Sequence, residues 1–554
     1  MARPIILGTQ NFEKLRRNNA FFVDKTDFIC EWWKRMSEVT LVTRPRRFGK
    51  TLMMDIVGSF FSSAQNNQET LFEGLKVWKD ADLRALAGTF PVITLTFSGV
   101  KGKNWSEMQN EIAAIISPVY DDWRWLADNE RLSRPVRKAI AELSPTEFSP
   151  SSLTNSLRVL SGAIWRCTGK KPIILLDEYD APMIHAWNTG YWSDAVMFMQ
   201  SFMNYTFKAN KNIERGLITG VTRIGKESIF SDLNTPDVIT VTSEAYASCF
   251  GFTEAEVESA LTEYELKNKS EVKAWYDGFT FGSVHDIYNP WSIIKFLQNR
   301  KLEPYWVNTG NNLLVGNLVK AAGKDVKSRF EELLNGGLVR TSILEDIVFQ
   351  DLNKNSEALW TLLASSGYLK IAGAYNDGTY DLALTNLEVK EAFQSLIRHW
   401  FDDGDTSYSD FLQALFSRDA DEMTASLNEL MSAVFSYFDT DATNPERFYH
   451  GFVLGLLVTL KGRYIVRSNR ESGIGRYDVM LEPVKPREDF GYVLEFKSRR
   501  IGAEGTIEQT AESALKQIRD KNYSEELVSR GCDPQRICSI GLAFEGKRAF
   551  VKIG

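Results

Sequence analysis

Short runs of consecutive apolar residues alternate with stretches of helical periodicity over residues 1–245. Polar residues, glycine or proline flank each run, and the clearest runs lie in EVTLVTRP, FPVITLTFS, KPIILLDEY and ERGLITGVT. Strands of a parallel sheet have this composition because helices cover both of its faces. The pattern predicts an α/β domain with a parallel sheet.

The pattern then becomes mainly helical. Residues 246–300 carry the aromatic segments WYDGFTFG and IYNPWSI and predict a helical lid. Residues 301–442 contain ALWTLLASSGYLKI and YDLALTNLEVKEAF, which indicate a helix, two short strands and a helix. That order fits a winged-helix-like unit, although two strands near a helix also occur in many unrelated folds.

Residues 443–554 return to an α/β pattern. One helix (RFYHGFVLGLLVTL) precedes three strands (YIVRSN, YDVML and YVLEFK), and a second helix (EQTAESALKQIRDKNY) precedes the strand pair SIGLAFEG and RAFVKIG. A chain of 554 residues is expected to hold three or four domains, which agrees with this division.

Composition narrows the class of protein. The chain is 44% hydrophobic and 25% charged, and it has no apolar run of about 18 residues that would span a bilayer. Its first residues lack the apolar core of a secretory signal, so we expect a cytoplasmic protein. Five scattered cysteines argue against a disulfide framework. With a net charge of −7, any nucleic-acid contact must come from local basic patches.

A phosphate-binding loop is predicted directly after the first strand. Such a loop reads G-x-x-x-x-G-K-[ST]: its amides cradle phosphate, its Lys reaches the β/γ-phosphates and its hydroxyl holds Mg²⁺. The candidate nucleotide-binding residues are Arg44, Pro45, Arg46, Arg47, Phe48, Gly49, Lys50 and Thr51. Arg44 stands where the first glycine is expected, and a basic surface turn is the alternative interpretation.

The apolar run IILLDE supplies a second element of such a site. Asp177 at its end would anchor Mg²⁺, and Glu178 would polarise the attacking water. An ordinary buried strand with a solvated acidic end is the alternative. Upstream, Asp24 and Lys25 in FFVDKTDFI are candidates for contacts with the base or ribose.

A third strand places further polar groups where ligands of open α/β sheets gather. Thr222 and Arg223 follow GLITG and are candidate sensors of the γ-phosphate, with surface salt bridges as the alternative. Arg46 and Arg47 are candidates for stabilising charge or for contacting DNA.

The carboxyl-terminal segment carries the residues of a metal-dependent hydrolytic site. Carboxylates that converge on Mg²⁺ and a nearby cation are needed to generate hydroxide and to offset charge at a phosphate. Strand alternation places Glu495 and Lys497 on one face, and a hairpin with RYDVML brings Asp478 beside Glu495. Taken alone, Glu-x-Lys is most simply a solvated strand edge.

Neighbouring residues extend this candidate site. Glu446 and Glu471 are candidates for a further metal ligand. Gln517, Lys521 and Tyr523 are expected beside the site, on the helix that follows.

These motifs together resemble the bacterial and archaeal family in which an AAA-ATPase-like domain precedes a PD-(D/E)XK nuclease superfamily domain. The resemblance covers nearly the whole chain and lies in FVDKT, RPRRFGKT, LLDEYDAP, TGVTRIGKESIFSDLN, WYDGFTFG, IYNPWSI, YHGFVLGLL, SNRESGIGRYDVML, YVLEFK and ALKQIRDKNY. It implies that Arg44 is normal in the loop and that Asp478, Glu495, Lys497 and Gln517 form the nuclease signature. Tyr477 replaces the proline of the PD element, which leaves the metal ligand in place.

The leading hypothesis is an ATP-binding, ATP-hydrolysing regulator of a Mg²⁺-dependent nuclease that cuts DNA. The resemblance suggests defence against mobile DNA, and a homo-oligomer is a candidate assembly because related ATPases often share a site between subunits. The sequence does not distinguish DNA from RNA. Two alternatives remain open: a nucleotide-switched protein whose nuclease-like domain only binds nucleic acid or a partner, and an NTP-driven scaffold.

Overall fold

The computed structural model describes most of the chain as two compact units, Met1–Lys390 and Glu391–Gly554. The described residues are 2–144, 147–208, 210–224, 236–307, 316, 318, 324–334, 336–344, 352, 355–402, 407–435, 453, 457, 460, 462–472, 475–499, 504–546 and 548–554. In this part of the chain no helix is long and apolar enough to cross a membrane.

A five-stranded parallel sheet forms the centre of the first unit. Its strands are β1 (Val39–Thr43), β2 (Val92–Thr96), β3 (Ile173–Asp177), β4 (Arg215–Gly220) and β5 (Asp237–Ile239), in the order β2-β3-β4-β1-β5. Strands β1, β3 and β4 are buried along their whole length, which agrees with the apolar runs of the sequence. Because β4 lies between β1 and β3, the loops after all three strands meet at one edge of the sheet.

Eleven described helices accompany this sheet. They are α1 (Phe12–Arg17), α2 (Asp27–Arg35), α3 (Lys50–Phe61), α4 (Gln68–Phe72), α5 (Ala81–Arg84), α6 (Trp105–Asp121), α7 (Arg134–Glu142), α8 (Pro150–Thr154), α9 (Ser156–Thr168), α10 (Ala181–Thr189) and α11 (Trp192–Met203). Apolar side chains of α2 and α3 pack against one face of the sheet in a core that includes Trp32, Phe60 and Leu175.

Residues 246–300 contain a small sheet as well as the expected helices. The helices are α12 (Glu254–Glu263), α13 (Lys269–Tyr276) and α14 (Pro290–Asn299). The two aromatic segments end α13 and begin α14, and between these helices they also contribute to the antiparallel strands β7 (Phe279–Phe281) and β8 (Val284–Tyr288). Strand β8 also pairs with β6 (Phe252–Thr253). Alternating aromatic residues favour this conformation because their rings pack well on a pleated surface.

The middle region has the predicted order of helix, two strands and helix. Helices α15 (Lys324–Leu334), α16 (Ser356–Ser365) and α17 (Leu387–Asp402) accompany strands β9 (Val339–Ser342), β10 (Leu369–Ala374) and β11 (Thr379–Leu384). The three strands form an antiparallel sheet in the order β10-β11-β9. A winged-helix-like unit has this arrangement, and the assignment stays a prediction.

The second unit is built on a mixed five-stranded sheet. Its strands are β12 (Tyr464–Ser472), β13 (Gly475–Pro483), β14 (Gly491–Ser498), β15 (Ile537–Glu545) and β16 (Arg548–Ile553), in sequential order with only β14 and β15 parallel. Its remaining described helices are α18 (Ser407–Ser417), α19 (Ala420–Phe435), α20 (Ile507–Asp520) and α21 (Ser524–Ser529). The strands predicted for residues 443–554 all form.

This unit begins earlier than the boundary at residue 443 that the sequence suggests. Helices α18 and α19 cover one face of the mixed sheet, where Leu427 and Met431 join the core around Leu494 and Phe496. The Asn428 side chain also exchanges two hydrogen bonds with the Ala549 backbone, at 2.9 and 2.8 Å. These helices therefore belong with the sheet because their apolar face is buried only there.

Candidate active sites

The predicted phosphate loop connects strand β1 to helix α3. Gly49 adopts a left-handed conformation with φ of 82°, which an amino acid with a side chain rarely adopts, and it precedes the helix directly. The Lys50 Nζ donates hydrogen bonds of 2.8 Å to the carbonyl oxygens of both Arg44 and Pro45. The ammonium group therefore lies over the loop, as phosphate binding requires.

Lys50 is buried, with only 6% of its surface exposed. Burial lowers the pKa of its ammonium to about 8, and the carboxylates of Asp177, Asp180 and Glu178 partly oppose that effect. A phosphate group in the loop would supply the negative charge that this buried cation lacks.

The Asp177 carboxylate, at the end of β3, accepts hydrogen bonds from side chains of helix α3 and strand β4. Thr51 donates a 2.6 Å hydrogen bond to its Oδ2, and Thr219 at the end of β4 donates to its Oδ1. The strand order thus brings together the loop hydroxyl and the acid, the pair that the sequence assigned to Mg²⁺. A hydroxyl and a carboxylate are oxygen ligands of the type that Mg²⁺ prefers, so these residues fit the ion.

Glu178 stands one residue beyond Asp177 in an unusual backbone conformation, with φ of 53°. Burial raises the pKa of its carboxyl group, and the neighbouring Asp177 raises it further. A strained residue with a perturbed pKa at a strand end is typical of functional sites. Its placement suits the predicted role of polarising water.

Thr222 and Arg223 follow strand β4, but the Thr222 side chain is already engaged. Its hydroxyl donates to Asp180 at 3.1 Å, and the Val221 and Thr222 amides donate to the same carboxylate at 2.9 Å. Asp180 is 2% exposed and is not among the residues predicted from the sequence. Its position three residues after Asp177 in LLDEYD was the available signal.

The side chains of the loop divide into two groups. Arg44, Pro45 and Phe48 are buried, whereas Arg46 and Arg47 are exposed. Among the arginines of the loop, only the exposed pair is therefore positioned to reach an external charge, while Arg44 packs into the protein.

Asp24 and Lys25 lie in a segment with interactions of its own. Asp24 accepts hydrogen bonds from the Thr26 amide at 2.9 Å and the Lys76 amide at 2.7 Å. Lys25 pairs with Glu256 at 2.7 Å. No described contact joins either residue to the phosphate loop, so their role at the base or ribose stays a prediction.

The two carboxylates of the second candidate site lie on adjacent strands. Val479 pairs with Leu494 in the antiparallel register of β13 and β14, so Asp478 lies across from Glu495 one residue further on. Asp478 Oδ2 accepts a 2.8 Å hydrogen bond from the Phe496 amide. The predicted hairpin is therefore formed, and it places these carboxylates together.

Helix α20 supplies the third member of this site. A capping box between Thr506 and Gln509 starts the helix, which packs its buried face on β14 and β15. Gln517 Nε2 donates a hydrogen bond to Glu495 Oε1. Glu495 is only 3% exposed, so this donor fixes a carboxylate that water hardly reaches.

Tyr523 completes the cluster behind Gln517. Burial raises the pKa of its phenol, which is hydrogen-bonded to the Gln517 side chain and lies near the carboxylates of Glu495 and Asp478. The sequence placed Tyr523 beside the site. The structure adds its contact with Gln517, which spacing alone does not reveal because Tyr523 lies beyond the end of the helix.

The chemistry of these donors fits a divalent metal. Asp478 and Glu495 offer carboxylate oxygens, and Lys497 is on the same face of β14 as Glu495. Among the described side chains, no three acidic, histidine or cysteine groups gather as ligands. Glu446 and the side chain of Glu471 lie outside the described residues, although the Glu471 backbone pairs with Arg476 between β12 and β13.

Comparison with known proteins agrees with this division into two sites. Residues 6–230 match a family model described as predicted AAA-ATPase, and residues 444–553 match a model of the PD-(D/E)XK nuclease superfamily. The chain is 24% identical over 544 residues to an uncharacterized protein in the vnfD 5′ region of Azotobacter chroococcum mcd 1, covering 96% of this chain and 94% of that protein. No solved structure matches. The chain is thus similar to predicted AAA-ATPases over its first part and to the PD-(D/E)XK nuclease superfamily over its last part.

Proposed function

We propose that this protein is an ATP-binding and ATP-hydrolysing regulator of a Mg²⁺-dependent nuclease that hydrolyses phosphodiester bonds of DNA. The observation that carries the proposal is the pairing of Asp478 and Glu495 on adjacent strands, with Gln517 bound to Glu495. A buried carboxylate held by an amide is a preorganised ligand rather than a solvated strand edge.

At the nuclease site each residue has a distinct task. Asp478 and Glu495 would hold the metal, which when bound polarises a phosphoryl oxygen and favours hydroxide formation. Lys497 would stabilise negative charge on the phosphate, and Gln517 would orient Glu495 through its hydrogen bond.

At the nucleotide site Lys50 would bind the β/γ-phosphates of ATP, while Thr51 and Asp177 would hold Mg²⁺. Glu178 would orient and polarise water, a role that suits a carboxyl group whose pKa is raised by burial. The exposed side chains of Arg46 and Arg47 would contact phosphate or DNA from the protein surface.

A cleavage assay with Mg²⁺ and ATP on linear, circular and single-stranded DNA, with RNA in parallel, tests the proposal. Glu495→Ala is expected to reduce cleavage to background, because the metal loses a ligand. The matched control is Glu512→Ala, which removes an exposed carboxylate from helix α20 and is expected to retain activity.

Metal-dependent binding without cleavage by the folded wild-type protein would favour the alternative of a nucleotide-switched binding protein. Equal activity of wild type and Glu495→Ala would remove the assigned nuclease site.

A further inference from the structure

Arg44 replaces the first glycine of the phosphate loop, and its side chain is completely buried. Its Nη1 donates hydrogen bonds to the carbonyl oxygens of Thr43 at 2.9 Å and Thr240 at 2.7 Å. The guanidinium carbon lies 4.4 Å from the ring centroid of Phe281 and 5.9 Å from that of Phe250. Its Nε and Nη2 have no hydrogen-bond partner among the described residues.

The aromatic rings compensate in part for the loss of water around the buried Arg44 guanidinium. A buried cation is costly unless neighbouring groups compensate for lost water, and a desolvated cation–π contact is one such compensation. Burial lowers the pKa of the Arg44 guanidinium to about 9. The face of Phe281 in strand β7 is therefore the main compensation beyond the two carbonyl groups.

Phe48 anchors the other end of the loop to the same strand. Its ring is 1% exposed and contacts Phe279 and Phe281 edge-on, with centroid distances of 4.7 and 5.4 Å. Between the two anchors, Asn289 Nδ2 donates to the Arg46 carbonyl oxygen at 3.2 Å. Both ends of the loop are thus held by residues 279–289, which lie outside the parallel sheet.

The position of Arg44 determines where Lys50 lies. The Arg44 carbonyl oxygen is one of the two acceptors of the Lys50 ammonium. A shift of the Arg44 backbone would remove that acceptor and expose the Lys50 ammonium to solvent.

We propose that Arg44 is a positioning residue for nucleotide binding: its guanidinium, seated on Phe281, holds the loop so that Lys50 faces the phosphates. This inference rests on the proposed ATP site and deepens it. It implies that replacing Arg44 by the usual glycine weakens nucleotide binding. The glycine has no side chain to fill the space below the loop, so the backbone at position 44 would no longer be held in place.

The experiment is calorimetric titration of full-length protein with a non-hydrolysable ATP analogue and Mg²⁺ at neutral pH. We expect Arg44→Gly to weaken affinity at least about tenfold, the loss that corresponds to part of a buried cation–π contact. Arg44→Lys, which keeps a cation near Phe281, should recover part of the affinity.

Phe281→Leu tests the contact from its other side. It should weaken affinity in the same direction as Arg44→Gly, and the double variant should bind nearly as well as Arg44→Gly alone because one contact is lost in both. Phe296→Leu is the matched control: it alters a buried phenylalanine in a separate cluster and should lower the melting temperature without changing affinity. If Arg44→Gly does not fold, Phe281→Leu and Arg44→Lys still carry the test.

Arg44→Gly binding as tightly as wild type overturns the inference alone, as does Arg44→Lys binding no better than Arg44→Gly. Strict additivity of the two substitutions also overturns it. A folded wild-type protein that binds no nucleotide overturns the proposed ATP site together with this inference.

Discussion

Lys50 and Glu495 illustrate how the fold alters single residues at the two candidate sites. Each is a charged residue with less than a tenth of its surface exposed, and each is fixed by a polar partner: loop carbonyl oxygens for Lys50 and the Gln517 amide for Glu495. A buried charge that is held in this way needs less reorganisation than a solvated charge when a ligand of opposite charge binds.

ATP affinity should fall as pH rises above about 8, the pKa of Lys50 in the free protein. A phosphate-bound ammonium keeps its proton to higher pH, so binding above pH 8 takes up a proton and affinity falls about tenfold per unit. Calorimetric titration between pH 7 and about 9.5 measures the slope. Lys50→Met should bind weakly and without this slope, and an equal slope in that variant would assign the titration to another group.

Gln517→Ala should lower metal affinity or cleavage by about 10–100-fold, the usual effect of losing a group that orients a metal ligand. Metal titration followed by cleavage kinetics measures both quantities. Ser513→Ala, one turn earlier on the exposed side of helix α20, provides the control. If both variants behaved like wild type, Gln517 would be only a packing residue.

The sequence identified the residues whose chemistry follows from a motif, such as Thr51 with Asp177. The sequence did not reveal where the Arg44 side chain lies, because its aromatic partner Phe281 is more than two hundred residues away along the chain and no local pattern encodes that contact. It also missed Asp180, whose hydrogen bonds to Val221 and Thr222 depend on how two strands end.

Among the elements, helices α18 and α19 show where sequence patterns are insufficient. Their amphipathic pattern predicts helices but not the sheet that they cover, since many apolar surfaces accept such a face. The apolar strands β1 to β4 were predictable, whereas β5 to β7 are only two or three residues long and carry little pattern of their own.

A fragment of residues 391–554 should unfold cooperatively, whereas a fragment of residues 443–554 should not form a stable fold. The shorter fragment lacks α18 and α19 and therefore exposes the apolar face around Leu494 and Phe496. Urea denaturation monitored by circular dichroism compares the two. Equal stability would show that these helices contribute nothing to the fold of the unit.

Asn428→Ala should destabilise the longer fragment by about 1–3 kcal/mol, because two backbone groups of Ala549 lose their partner. The same denaturation experiment measures the loss. Asn428→Asp keeps the acceptor for the Ala549 amide but sets a carboxylate oxygen against the Ala549 carbonyl oxygen, so it should lose at least as much as Asn428→Ala. Wild-type stability in Asn428→Asp would contradict the assigned geometry.

For the whole molecule, the parallel sheet and the mixed sheet each carry one of the two candidate sites. Family matches over residues 6–230 and 444–553 agree with this division. If the two sites worked independently, they would not need to lie on one chain. We therefore expect nucleotide binding in the first unit to change the rate of cleavage in the second. This dependence is the central claim of the proposed function.

The most direct measurement of that claim is DNA cleavage in Mg²⁺, with and without ATP, by wild type, Lys50→Met and Glu495→Ala. Wild type should cleave at a rate that ATP changes, Lys50→Met should lose the response to ATP, and Glu495→Ala should bind ATP normally but not cleave. Cleavage that is the same in wild type and Lys50→Met at every ATP concentration, or that survives in Glu495→Ala, would contradict the account.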